Sequence, residues 1–287
     1  MLSPSPDVQP RYTLRCRDRI LTLDRPLIMG ILNVTSDSFY EGSRFPGADQ
    51  ALRRAGQIID EGGDIIDVGA FSSRPGSAMI TLEEELSRMV PVLKAIRNKF
   101  PDAILSVDTY RPEVAHTAIQ DCGADMINDI SGGDWEPGMF ELVAQLHVPY
   151  IMMHTKGTPD VMQQNPSYTD LFAEILEYFA NRIRKLRNLG HADIIIDPGF
   201  GFGKTLEHNY RLLAGLENFR LFGCPILVGV SRKSMIQKLL QVDAGAALNG
   251  SIVLQTVAMM KGASIIRTHD VKEAAESVRL LKALSMY

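Results

Sequence analysis

Apolar residues in this chain gather in short continuous runs, not in alternating ones. Eight recur: LIMGILNV (27–34), DIIDVGA (64–70), AILSVDT (103–109), ADMINDIS (124–131), PYIMMHT (149–155), ADIIIDPG (192–199), PILVGVS (225–231) and SIIRTHD (264–270). A strand with one wet face alternates; an unbroken apolar run suits a parallel strand covered on both faces. Between the runs the spacing becomes helical. ALRRAGQIIDEGG repeats apolar residues at helical intervals and stops on glycines. TLEEELSRMVPVLKAIRNKF opens on Thr81 with Glu84 three residues on, the pattern of a capping box. TDLFAEILEYFANRIRKLRNLG ends in Lys and Arg and then Gly190. GAALNGSIVLQTVAMMKGA is rich in small residues and suits close packing.

Eight strand–helix units over roughly 250 residues are the size of an α/β (β/α)8 TIM barrel. A doubly wound sheet also alternates strand and helix, but the strand number favours the barrel. No Pro/Ser-rich linker divides residues 26–287. YTLRCRDRILTL alternates around a polar Arg17-Asp18-Arg19 turn, which predicts a β-hairpin over 12–23 at the N-terminal end of the strands. The expected organisation is a flexible tail over 1–11 and one barrel domain over 12–287.

Composition narrows the function classes. The chain has 287 residues, 45% hydrophobic and 22% charged, with a net charge of −4 and scattered basic residues, so no basic stripe points to nucleic acid. There is no run of 18 apolar residues to span a membrane and no apolar segment of a secretory signal at the start. Cys16, Cys122 and Cys224 lie far apart and are odd in number, which fits a reduced cytoplasm.

The polar residues sit where barrel enzymes keep their chemistry, at the C-terminal ends of the strands. The runs end on or carry Asn33, Asp67, Asp108, Asn128 with Asp129, His154, Asp197, Ser231 to Ser234, and Arg267, His269 and Asp270. Any one such group is as readily structural as functional; eight polar strand ends together speak against an inert barrel. Asp108, Asn128, Asp197 and Lys233 offer acceptors, an amide and a donor suited to a flat heterocycle with paired N–H groups. Arg267, His269 and Asn33 form a neighbouring cationic and polar group suited to phosphate, and the helix opening after Ser231-Arg232-Lys233-Ser234 is a second candidate anion site.

The stretch PGFGFGKTLEHN (198–209) looks like a phosphate loop, but a nucleotide loop needs glycine where Pro198 stands, and the dinucleotide pattern needs glycine where Lys204 stands. Its glycines are read as letting backbone pass close to whatever Asp197 holds, and Lys204 as a solvated loop lysine. Two long Gly/Ser/Pro-rich loops, about 35–47 and 71–80, stand at the mouth and are expected to be mobile lids.

GILNVTSDSFYEG, SSRPGS, VDTYRPEVA, INDISGG, DPGFGFGKTLEHN, GVSRKSMI and RTHD, in this order from about residue 26 to the end, resemble the dihydropteroate synthase family. The resemblance implies condensation of 6-hydroxymethyl-7,8-dihydropterin diphosphate with 4-aminobenzoate, with Mg²⁺ as cofactor, a cytoplasmic homodimer and a sulfonamide target. It implies Asp108, Asn128, Asp197 and Lys233 around the pterin, with Lys233 also catalytic. Arg267 and His269 fall on the diphosphate, and Asn33 on the Mg²⁺ side. Ser73 binds substrate in the second loop, with Arg74 and Glu41 as catalytic lid residues. Phe202 and Ser234 fall on the 4-aminobenzoate region. The chain departs from the family pattern at Ser36 in place of proline, at Glu41 in place of aspartate and at Ser73 in place of threonine. Two rivals share part of this pattern: a methyltetrahydrofolate:corrinoid methyltransferase-like barrel, which has no need of the SSRPG loop, and an inactive pterin-binding paralogue.

Overall fold

The computed structural model describes residues 12–34, 46–70, 80–157 and 166–284. The expected tail over 1–11, most of the two expected lids, and with them Glu41, Ser73 and Arg74, lie outside the described residues.

The chain opens with the strands β1 (Tyr12–Cys16) and β2 (Arg19–Leu23), an antiparallel hairpin with Tyr12 opposite Leu23. Its turn begins at Arg17, whose φ of 56° is left-handed. The barrel strands follow as β3 (Leu27–Asn33), β4 (Ile65–Gly69), β5 (Ile104–Asp108), β6 (Met126–Asp129), β7 (Tyr150–Met153), β8 (Ile194–Asp197), β9 (Leu227–Val228) and β10 (Ile265–Thr268). All pair in parallel, in the order β8-β7-β6-β5-β4-β3-β10-β9. A parallel bridge from Ile196 to Ile226 links the two ends and closes the barrel. Closure is thinnest there. β9 spans only two residues: Pro225 before it has no N–H to donate, and a turn begins at Ser231.

The helices between them are α1 (Pro46–Asp60), α2 (Leu82–Lys99), α3 (Pro112–Gln120), α4 (Met139–Leu146), α5 (Leu171–Asn188), α6 (Leu206–Ala214), α7 (Ser234–Leu240), α8 (Leu248–Met260) and α9 (Val271–Leu284). Half of the expected capping box forms: Thr81 Oγ1 accepts from Glu84 N at 3.2 Å, while the Glu84 carboxylate turns to Arg88 instead of back to the cap. α5 stops as expected before Gly190, at φ 81°.

Side chains alternate in and out along each strand, and this sorts the core. The outward set packs under the helices, for example Ile66, Val107, Met152 and Ile196. The inward set is wholly apolar in its lower half: Leu27, Met29, Ile65, Met126, Ile151, Ile195, Leu227 and Ile265 pack with Leu14, Cys16 and Leu23 of the hairpin, and Ile31 and Met153 continue it upward. The hairpin therefore plugs the N-terminal end, as expected, and Arg15 N donates to Asp193 beside the start of β8. Above this plug the same inward register continues into Asp67, Ser106, Asp108, Asn128, Asp197 and Arg267.

Candidate active site

Arg267 is the centre of the barrel mouth. It follows Ile265 by two residues on β10, so it faces inward. Its Nε donates to Asp67 Oδ2 at 2.6 Å and its Nη2 to Asp108 Oδ2 at 2.7 Å. Asp67 Oδ2 also accepts from Asn128 Nδ2 at 3.1 Å. This fixes the asparagine amide, leaving its carbonyl for another partner. Asp67 was legible as a strand end and absent from the candidate set; its inward register with Ile65 is the signal that identifies it. Burial, helped by the Asp67 charge, pushes Asp108 up to about 7 against the pull of Arg267.

Asp197 stands at the end of β8. Burial raises its carboxyl, and the Lys233 charge opposes this most strongly, followed by the Gly199 N–H, which donates to Oδ1 at 2.8 Å. Lys233 donates to Phe200 O and holds its ammonium 4.6 Å from the centre of the Phe202 ring. Burial lowers Lys233 to about 8. One face of the mouth thus joins Asp197, Lys233 and Phe202, and the other joins Asp67, Asp108, Asn128 and Arg267. Lys233 is the N-cap of α7 and Ser234 its first residue, exposed at the helix opening.

His269 lies one residue past β10. Burial, then the charge of Arg267, lowers it to about 4, so its ring is neutral near pH 7. The His269 backbone N–H donates to Ser231 Oγ at 3.2 Å, and the backbone carbonyl accepts from Arg54 at 2.7 Å. Arg54 belongs to α1, where sequence periodicity gives a helical arginine no distinguishing mark. Asn33 ends β3 exposed, and with Arg53, Arg54 and Gln57 it lines a cavity of about 320 Å³ between β3 and α1.

One expectation is overturned. Lys204 is not solvated: it is 3% exposed and its ammonium is enclosed by protein acceptors. Arg232, in the run that opens α7, is held by protein acceptors. Its guanidinium grips the Asp270 carboxylate, at 2.7 Å from Nη2 to Oδ1, and donates to Ala244 O and Gly245 O. Asp129 is structural as well, accepting from Tyr150 Oη at 2.7 Å and from Ser131 N and Gly133 N.

Among the described residues no group of three His, Cys, Asp or Glu side chains could hold a metal ion. Asn33 offers one neutral oxygen. That donor fits Mg²⁺ only as an ion carried in by a diphosphate, with phosphate oxygens and water filling the remaining positions.

The pterin binding enzyme family profile matches residues 29–269. Dihydropteroate synthase of Escherichia coli is 46% identical over 265 residues, covering 92% of this chain and 93% of that protein. The structure of the Yersinia pestis dihydropteroate synthase in complex with a sulfonamide drug superposes with a TM-score of 0.89 at 43% identity, covering 96% of this chain and 100% of the other. The Xanthomonas albilineans dihydropteroate synthase in complex with 7,8-dihydropteroate gives 0.85 at 36% identity, covering 97% and 100%. With a closed barrel whose mouth holds the acidic, amide and basic groups of a pterin pocket, and with relatives this similar along nearly the whole chain, the protein belongs to the dihydropteroate synthase family of pterin-binding enzymes.

Proposed function

We propose that this chain condenses 6-hydroxymethyl-7,8-dihydropterin diphosphate with 4-aminobenzoate to give 7,8-dihydropteroate and diphosphate. The observation that carries the reading is the convergence of Asp108, Asn128, Asp197, Lys233 and Arg267 on one end of the barrel. In the reaction the bond from the pterin methylene carbon to the diphosphate oxygen breaks, and its electron pair leaves on diphosphate. The arylamine nitrogen donates its pair to that carbon and gives up one proton.

In this reading Asp197, Asn128 and Asp108 accept and orient the pterin edge, and Lys233 keeps Asp197 ionised. Arg267 and His269 face the leaving group; a neutral His269 binds it by hydrogen bonding, and Arg267 supplies the charge. Asn33 would be the protein donor to a Mg²⁺ ion carried in with the diphosphate, where the ion would supply charge neutralisation. Phe202 forms the wall against the arylamine ring, and the N–H groups opening α7 at Ser234 receive its carboxylate. Ser73, Arg74 and Glu41 enter from the two loops as groups that close the site.

A homodimer and a cytoplasmic location belong to the same reading. α8 carries exposed Val253 and Met260, and α7 exposed Leu239 and Leu240, apolar groups suited to covering by a second copy. All three cysteines are free and buried, as a reducing compartment allows.

The test is an assay of the purified chain with both substrates and Mg²⁺, following 7,8-dihydropteroate and diphosphate together. Equal formation of both supports the proposal. Pterin binding without product supports an inactive paralogue, and methyl transfer from methyltetrahydrofolate to a corrinoid supports the methyltransferase; either overturns it.

A further inference from the structure

The glycine-rich turn after β8 resembles a phosphate loop in sequence but has the opposite polarity. In a phosphate loop, backbone N–H groups converge on an anion. Here backbone carbonyls converge on a cation of the chain itself. Lys204 Nζ donates to Gly199 O at 2.9 Å and to Phe202 O at 3.0 Å, and lies 2.9 Å from His154 Nδ1. His154 O lies at 3.4 Å as a fourth, longer acceptor, so all three N–H donors of an ammonium are served. Burial, and then the Lys204 charge, holds His154 well below the usual histidine range, so its ring is neutral and can accept. Burial also draws Lys204 down to about 7, against the pull of the Asp197 charge.

Each accepting residue belongs to a different part of the site. Gly199 donates its N–H to Asp197. Phe202 presents its ring to Lys233. His154 follows β7 and packs on the Tyr178 ring of α5 at 4.7 Å between centroids. The turn needs such a tie. Gly199, Gly201 and Gly203 all have positive φ, at 74°, 81° and 61°, and a Cβ at Gly199 would lie 1.9 Å from His154 O. Other bonds hold the turn as well: Gly199 N to Asp197 Oδ1 at 2.8 Å, Lys233 Nζ to Phe200 O, Phe202 N to Gly199 O at 3.2 Å, Gly201 N to Asn209 Oδ1 at 2.7 Å, and Tyr168 Oη to Gly203 O at 2.8 Å; among these contacts only the lysine reaches Phe202 O.

We propose that Lys204 is a positioning residue for the second substrate: its buried ammonium fixes the Gly199–Phe202 turn to β7 and so sets the Phe202 ring against which the arylamine packs. It touches neither substrate. The pterin depends on it less, because Asp197 is anchored on β8 itself, whereas Phe202 stands on the turn. This deepens the synthase reading and rests on it.

The test compares Lys204→Met and Lys204→Gln with the unaltered chain. It measures KM for 4-aminobenzoate, kcat, equilibrium binding of the pterin diphosphate by calorimetry, and amide hydrogen exchange. The expected result is an arylamine KM raised about tenfold or more, of the size a misplaced contact produces, with pterin affinity changed by less than about threefold. Exchange should quicken over residues 199–203 while α5 and β7 stay protected. Unchanged arylamine KM in a folded variant overturns the proposal. So does equal weakening of both substrates with exchange raised throughout, the mark of a merely structural lysine. If neither variant folds, His154→Leu, which removes the Nδ1 acceptor and leaves the backbone carbonyl, must show the same split at smaller size, and its absence overturns the idea. An unaltered chain that forms no dihydropteroate defeats the synthase reading instead; the hydrogen exchange then decides the role of Lys204 without any turnover.

Discussion

Asp67→Asn is the sharpest probe of the barrel mouth. Asp67 is 0% exposed, and its Oδ2 accepts from both Arg267 and Asn128. The amide has nearly the same shape, and its carbonyl can keep both hydrogen bonds, so the substitution removes charge rather than contact. Deleting one partner of a buried pair outright costs about 3–5 kcal/mol. Here the cost is smaller, because Arg267 still reaches Asp108 at 2.7 Å. Losing charge assistance from two bonds gives about 2 kcal/mol, which lowers Tm by about 4–8 °C. The Asp67 charge also contributes to raising Asp108, so the variant should move Asp108 toward acid. Urea unfolding measures the stability, and the pH profile of kcat/KM reads Asp108. Ser106→Ala is the control: Ser106 pairs with Asp67 in register, and its buried hydroxyl has no partner among the described residues, so its removal should be close to neutral. An Asp67→Asn protein within about 0.5 kcal/mol of the original, the size of an ordinary surface change, with an unmoved pH profile, refutes the ion-pair reasoning.

Asp197→Asn should weaken the pterin diphosphate about ten- to a hundredfold by calorimetry, since a charge-assisted pair contributes about 1.5–3 kcal/mol; unchanged affinity would remove Asp197 from the pterin pocket. His269 is held near 4 by burial against an unfolded value of 6.5. A lowered folded value means that the unfolded chain takes up the proton first, so stability present above pH 6.5 should fall as pH drops toward 4. Chemical unfolding across that window should show the fall, and His269→Gln should flatten it.

Much of this fold could be read from the chain because the relevant signals are local. Continuous apolar runs mark strands covered on both faces, and Gly190 marks the end of α5 through its own backbone freedom. The inward set at the mouth was also legible: once Ile65 or Ile265 is placed inside, the period of two puts Asp67 and Arg267 inside as well. Lys204 was misread for the opposite reason. Nothing near Lys204 in sequence distinguishes it from a wet loop lysine; its imidazole partner is 50 residues away, just past β7. Arg232 meets Asp270 at a separation of 38. Long polar side chains choose partners that only the closed barrel brings together, so their roles lie in the tertiary arrangement and leave no periodic trace.

The division of the barrel interior explains how the charged mouth remains stable. Below, the hairpin and inward aliphatic residues form a dry plug. Above it, Asp67, Asp108 and Asp197 face Arg267, Lys233 and Lys204, so the buried charges balance. This arrangement also leaves room for a ligand. Asp108 gives Oδ2 to Arg267, and a carboxylate has about four acceptor positions, so a pterin N–H can take Oδ1 with the ion pair intact. Asn128 gives its amide N–H to Asp67 and keeps its carbonyl free. In the proposed reaction the site therefore need not exchange partners when substrate arrives. Its dipoles are already aimed before charge separates, which is the condition under which fixed groups lower a barrier without reorganisation at the moment of reaction.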